Sequence, residues 1–116
     1  MATKKALELL KREDVEEFNA LARDRRKKGK GGVDLDDQNL SGLRLHNVDF
    51  RGVHLNGANL RGSDLQGADL RGARLRQADL RNADLRAADL SEADLRRAKL
   101  KGALLKKAIL KGAKGL

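Results

Sequence analysis

The chain carries few side chains suited to covalent or acid–base chemistry. Its hydroxyls are Thr3, Ser41, Ser63 and Ser91, its imidazoles are His46 and His54, and it has no Cys or Tyr. An enzyme needs a nucleophile, a base and an orienting group that converge on one point, and these residues are scattered. Without Cys there is no disulfide framework and no thiolate metal ligand, which fits a reducing, cytoplasmic setting. Charged side chains are abundant instead: 26 Lys and Arg against 17 Asp and Glu give a formal net charge of +9. That balance favours anionic partners, either nucleic acid or an acidic protein face.

The elements that would position these groups follow from the apolar residues. Charged residues make up 37% of the chain, a proportion seen in disordered segments, yet 40% is hydrophobic, mostly Leu and Ala. Those apolar residues must be placed very regularly for the chain to fold. From residue 33 they are. The chain reads in fives, from VDLDD at 33–37 through ADLRG at 68–72 to AILKG at 108–112, sixteen repeats without a break. The third residue of each five, the hub, is Leu in fifteen repeats and Phe50 in the other. Two residues before the hub stands Ala in ten repeats and Val33, Leu43, Val48 or Val53 in four more, with Gln38 and Ser63 as exceptions.

A period of five matches neither a helix nor a long strand. Within each five, the order small–polar–Leu is a strand alternation, and the polar or Gly pair that follows suits a turn. Each repeat is therefore a minimal strand and a corner, with the small residue and the hub inside and the other three residues outside. Repetition winds a coil, whose strands pair in parallel roughly 4.8 Å apart. Ala has little to offer an ordinary sheet, so its regular use marks a crowded interior.

These fives resemble the pentapeptide-repeat family, whose consensus is similar to Ala-Asp/Asn-Leu-x-x, over residues 33–112. The resemblance implies an all-β solenoid: a right-handed quadrilateral β-helix with four repeats per coil and about four coils. The hubs would then stack as Leu35, Leu55, Leu75 and Leu95; Leu40, Leu60, Leu80 and Leu100; Leu45, Leu65, Leu85 and Leu105; and Phe50, Leu70, Leu90 and Leu110. A Leu-rich helical repeat is the rival reading. Burial of one hub contributes roughly 1.5–3 kcal/mol before chain entropy offsets it.

A stack of coils has two open ends. Residues 1–32 read as a helical N-terminal cap and a basic linker, ahead of a coil domain at 33–116. Asp14 and Glu17 have capping-box spacing, and Val15, Phe18, Leu21 and Ala22 fall on one helix face. Phe18 and Leu21 are expected over Leu35 and Leu40, and Ala6, Leu7 and Leu10 in a second short helix. The alternative is a free amphipathic helix for a partner. Residues 23–32, RDRRKKGKGG, read as a solvated, mobile linker, or else as an anion-binding arm. At the other end, the usual Asp or Asn before the hub gives way to Leu104 and Ile109. Apolar groups in an outward position indicate an interface, so Leu104, Leu105, Ile109 and Leu110 form a candidate homodimer contact. Resistance-type members of the family are similar in dimerising there. Against it, residues 95–116 hold eight cations and no acid: Arg96, Arg97, Lys99, Lys101, Lys106, Lys107, Lys111 and Lys114. The same eight are the candidate anion-binding set.

On the outside, one face recurs every twenty residues, so Asp49, Asp69 and Asp89 align beside Arg51, Arg71, Ser91 and Lys111. Exposed ion pairs of this kind contribute little each, and an Asp before the hub can also bond corner N–H groups. Catalysis is not expected: Ser63 points inward, His46 and His54 face different ways, and His54 over Asp34 reads as a surface hydrogen bond. The repeat glycines stand singly at corners, not in a phosphate-binding loop, and no metal or cofactor is expected. The expected role is a non-catalytic scaffold for an unknown protein partner. The alternative is unspecific binding of nucleic acid, without base stacking because Phe18 and Phe50 look inward. A further family role, imitation of DNA toward gyrase, needs a negative face, and this chain is positive. The apolar run at 6–10 is too short for a secretory signal, and no segment suits a membrane span, so no membrane partner is expected.

Overall fold

The structure, a computed structural model, describes residues 2–116. It opens with two helices, α1 (Ala2–Lys11) and α2 (Val15–Lys27). Asp14 caps α2, its carboxylate accepting from Glu17 N–H at 3.1 Å. Glu16 and Glu17 lie in the first turn and Arg25, Arg26 and Lys27 in the last, each sign against the helix-dipole end that favours it. Ala6, Leu9 and Leu10 of α1 and Phe18 and Ala22 of α2 are buried.

From residue 33 the backbone makes no long strands. Each repeat contributes one parallel bridge residue, and every bridge joins positions twenty apart, from Asp34–His54 to Asp94–Lys114. One turn of the coil therefore takes twenty residues. The backbone hydrogen bonds follow one rule. In the second coil, Leu55 N–H donates to Arg74 C=O at 2.7 Å and Gly57 N–H to Arg76 C=O at 2.8 Å, both toward the C-terminal end. Asn59 N–H donates back to Gln38 C=O at 2.9 Å. Two donors per repeat thus face one way along the axis and one faces the other. This leaves few backbone groups of the inner coils unmatched, as burial requires.

The corner is a tight turn, in which the hub C=O accepts from the N–H three residues on, as for Leu55 and Ala58 at 3.1 Å. The fifth residue of every repeat from Asp37 to Gly112 has φ between 60° and 77°. A positive φ at the third place of a turn is that of a type II turn. Gly suits it, yet Gln77, Ala87, Arg97 and Lys107 hold the same conformation. Gly32 is needed for space: a Cβ there would lie 2.0 Å from the carbonyl oxygen of Gly52.

The core is the stack of hubs. Leu35, Leu40, Leu45 and Phe50 and their successors through Leu95 are at most 2% exposed, as are the small residues beside most of them. Leu100, Leu105 and Leu110 are half-buried. Ser63 is fully buried, and its hydroxyl donates to Leu60 C=O at 2.7 Å.

The helices close the first coil in a way the apolar pattern did not show. The Phe18 ring meets Phe50 edge-on, with centroids 5.4 Å apart, and shares one buried cluster with Leu35 and Leu40. Polar contacts accompany it. Asn19 Oδ1 accepts from Asp49 N–H at 2.7 Å, and Glu13 Oε2 accepts from Arg44 N–H at 2.5 Å. These N–H groups occupy the place that in later coils bonds the preceding coil, as Asp69 N–H does with Val48 C=O. Two cap side chains stand in for the missing coil and draw α2 toward residues 43–52. The basic segment 23–32 also differs from a mobile linker or a free arm. It is helical through Lys27, Arg26 Nη2 sits 2.5 Å from Asp49 Oδ2, and Arg25 Nη2 donates to Gly31 C=O at 2.8 Å.

Candidate functional site

Three surface features could carry function: the charged outer faces, the two histidines and the C-terminal end. The outer faces are a lattice. Asp69 accepts from Arg71 three times, from the backbone N–H at 3.2 Å, from Nε at 2.9 Å and from Nη2 at 2.6 Å. The same fork recurs at Asp79–Arg81, Asp84–Arg86 and Asp94–Arg96. Each Asp thus caps its turn and holds an Arg two residues on. The Arg81 hydrogen bond draws the Asp79 carboxyl down to about 2, and Arg96 holds Asp94 well below the usual carboxylate range. Longer pairs tie coil to coil, Arg51–Asp69 at 3.5 Å and Arg71–Asp89 at 3.9 Å. Charge on these faces is largely satisfied within the lattice.

His46 Nε2 contacts Asp64 Oδ2, one coil on. Sequence reading missed this pair. The backbones of His54 and Asp34 form a bridge between coils, while the expected hydrogen bond between their side chains is not made; Asp36 lies beside them, and one ligand atom from each of the three lies within 4.8 Å of the others. This group could hold a metal ion, but Asp34 is exposed while Asp36 and His54 are half-buried, and one oxygen of each carboxylate is taken. Asp34 Oδ1 accepts from Asp36 N–H and Asp36 Oδ1 from Asn56 N–H. A small hollow between α2 and the first coil is lined by Ala22, Arg25, Arg26, Val33, Arg51 and Val53. Arg25 Nε is buried there without a protein partner.

At the C-terminal end, Leu104 and Ile109 are each 50% exposed. They continue the columns of Asp84 and Asp89, so the lattice stops where they begin. Leu105 and Leu110 lie behind them, half-buried. The eight cations of residues 95–116 are all exposed. They fall on the four repeats of residues 93–112 and, with Lys114, on the segment that follows, and so surround this end of the coil. Arg96 is held by Asp94, whereas Arg97, Lys99, Lys101, Lys106, Lys107, Lys111 and Lys114 have no ion-pair partner among the described residues.

The family description "Pentapeptide repeats (8 copies)" matches residues 31–67 and 63–102. The chain belongs to the pentapeptide-repeat family. Among solved pentapeptide-repeat proteins, one from the Arabidopsis thaliana thylakoid lumen is 37% identical, with a TM-score of 0.58 over 69% of this chain and 59% of its own. One from the cyanobacterium Cyanothece 51142 is 41% identical, with a TM-score of 0.47 over 70% of this chain and 58% of its own. One from Nostoc PCC 7120 is 44% identical, with a TM-score of 0.44 over 77% and 76%. The chain thus spans less than two thirds of the length of the first two. Comparison with curated proteins gives no significant match. No helix among the described residues is long and apolar enough to cross a membrane.

Proposed function

We propose that this pentapeptide-repeat protein is a non-catalytic scaffold whose C-terminal end docks on another protein. In this reading residues 1–32 are a cap, and the sixteen repeats of residues 33–112 wind as four right-handed coils. The observation that carries it is the pair Leu104 and Ile109, which with Leu116 are the exposed large apolar side chains among the described residues. Support against catalysis comes from the groups themselves. The Ser63 hydroxyl is buried and engaged by Leu60, His46 is engaged by Asp64, and the hub stack fills the coil interior.

The docked protein can be a second copy, which the apolar pair favours and the ring of cations opposes. Light scattering and cross-linking with mass spectrometry test the surface directly. Contacts should map to residues 97–112 and disappear in the double variant Leu104→Asp, Ile109→Asp, with folding retained. Contacts elsewhere that survive the double variant refute the reading.

A second reading, unspecific nucleic-acid binding, is favoured by the seven exposed cations that make no ion pair among the described residues. It requires binding to duplex DNA that falls steeply with salt and exceeds binding to an acidic polymer. Imitation of DNA is opposed by the net charge of +9 and by the Arg beside most Asp columns.

A further inference from the structure

The charge lattice of the outer faces breaks at its first repeat. Every Asp before a hub from Asp49 to Asp94 has an Arg or His as its ion-pair partner. Asp34 holds the same place in the first repeat and makes no ion pair among the described residues. The reason stands two residues on. Where the later repeats set Arg71, Arg81, Arg86 or Arg96, the first sets a second carboxylate, Asp36. Asp36 makes no ion pair either. Two carboxylates thus lie uncompensated beside each other on a chain of net charge +9.

The second coil brings an imidazole to them. His54 N–H donates to Val33 C=O at 2.9 Å, and His54 C=O accepts from Leu35 N–H at 2.7 Å. These bonds flank Asp34 and fix His54 next to it in the column. The carboxylates are oriented as well. Asp34 Oδ1 accepts from Asp36 N–H at 3.0 Å, and Asp36 Oδ1 accepts from Asn56 N–H at 2.8 Å. Each keeps its second oxygen, and backbone bonds of this kind hold a ligand in place for an ion. The His54 ring makes no hydrogen bond among the described residues, unlike His46, which contacts Asp64. Arg74 follows His54 in its column, and Arg76 follows Asn56. Both are exposed, and neither pairs with these carboxylates among the described residues.

We propose that Asp34, Asp36 and His54 bind a divalent transition-metal ion of the zinc class, which ties the first coil to the second. One atom from each residue lies within 4.8 Å of the others. Ligand bonds of about 2.0–2.2 Å let two ligands of one ion stand about 4.2 Å apart at most, so a side-chain shift of about half an ångström closes the site. The donor set selects the ion. Imidazole nitrogen suits zinc, nickel and copper, whereas calcium and magnesium take oxygen ligands. Three protein ligands leave a further position for water. An ion held by both coils stabilises the fold, since the unfolded chain does not bring the three residues together.

The test is titration of the full, untagged chain with zinc chloride, followed by calorimetry and by NMR of the two imidazoles. One ion per chain should bind, shift the His54 ring nitrogens and leave those of His46 in place, and the melting temperature should rise. His54→Ala and Asp36→Asn should each weaken binding by about tenfold or more, and His46→Ala should not. Asn at residue 36 keeps an acceptor for the Asn56 N–H, and the imidazole spectrum needs no variant, so the result does not hang on how His54→Ala folds. Zinc that shifts His46 and is lost in His46→Ala would move the site to His46 and Asp64 and overturn the proposal. Calcium or magnesium binding as tightly as zinc, with no effect of His54→Ala, would reveal a carboxylate cluster without the imidazole and overturn the metal class. No binding of zinc to the parent chain would overturn the site altogether.

Discussion

Asn19 of the cap reaches the Asp49 backbone: its Oδ1 accepts from the Asp49 N–H at 2.7 Å, and its Nδ2 donates to the neighbouring Asn47 carbonyl at 3.1 Å. One side chain thereby supplies a donor and an acceptor to a coil edge that would otherwise be open. Asn19→Ala removes both bonds and leaves Asp49 N–H without its partner. A loss of about 1–3 kcal/mol is expected, read from urea unfolding monitored by circular dichroism. A change within error would mean that water replaces the cap at no cost.

Leu70 is fully buried in the Phe50 column. Leu70→Asp puts a carboxylate there without a partner, which a packed apolar column cannot tolerate. No cooperative thermal transition is expected. A native-like melting curve would contradict the placement of the hub.

Ala87 holds φ at 60°, a conformation that costs an L-residue roughly 1–2 kcal/mol. Ala87→Gly relieves that cost, offset in part by the greater freedom of Gly in the unfolded chain. A gain of about 0.5–1 kcal/mol is expected from chemical denaturation. Gly32→Ala should do the opposite. Its Cβ meets the Gly52 backbone, which cannot step aside as a side chain can, so a loss of about 1–3 kcal/mol is expected.

Asp79 has its carboxyl drawn down to about 2 by Arg81. A group whose folded pKa is depressed stabilises the fold above its unfolded pKa, about 3.9. That contribution is lost as pH falls from about 4 toward 2. Asp84, Asp89 and Asp94 are lowered too, by Arg86, Ser91 and Arg96 in turn. Melting temperature should therefore fall over this window. In Arg81→Gln the fall should be shallower, which parallel melts of parent and variant will show.

The hubs were legible because each repeat places one Leu at a fixed step, and a single period accounts for core, strand and corner together. The twenty-residue turn was not in that period and came only through resemblance to the family. The cap was legible in its apolar face but its polar contacts with the coil were not. The bonds from Asn19 and Glu13 to the first coil are made by polar residues outside that face. A signal for them existed: the first coil's backward N–H groups needed acceptors, and Asn19 lies beside Phe18. Arg26 read as part of a solvated run because its partner, Asp49, is 23 residues away and is reached only once α2 docks. The pairing of His46 with Asp64 depends on side-chain reach between columns, which no repeat pattern carries. Leu104 and Ile109 stood out at once, since they break a column of carboxylates.

The docking role needs the repeats around the exposed Leu104 and Ile109 to be uncovered, and amide exchange of the protein alone, at low concentration, tests it most directly. The amides of Arg44, Asp49 and Leu70 should exchange slowly, and those of Leu100, Leu105 and Leu110 at rates close to an unstructured chain. Equal protection at both ends would show that the last coil is already covered, and would contradict a docking surface there.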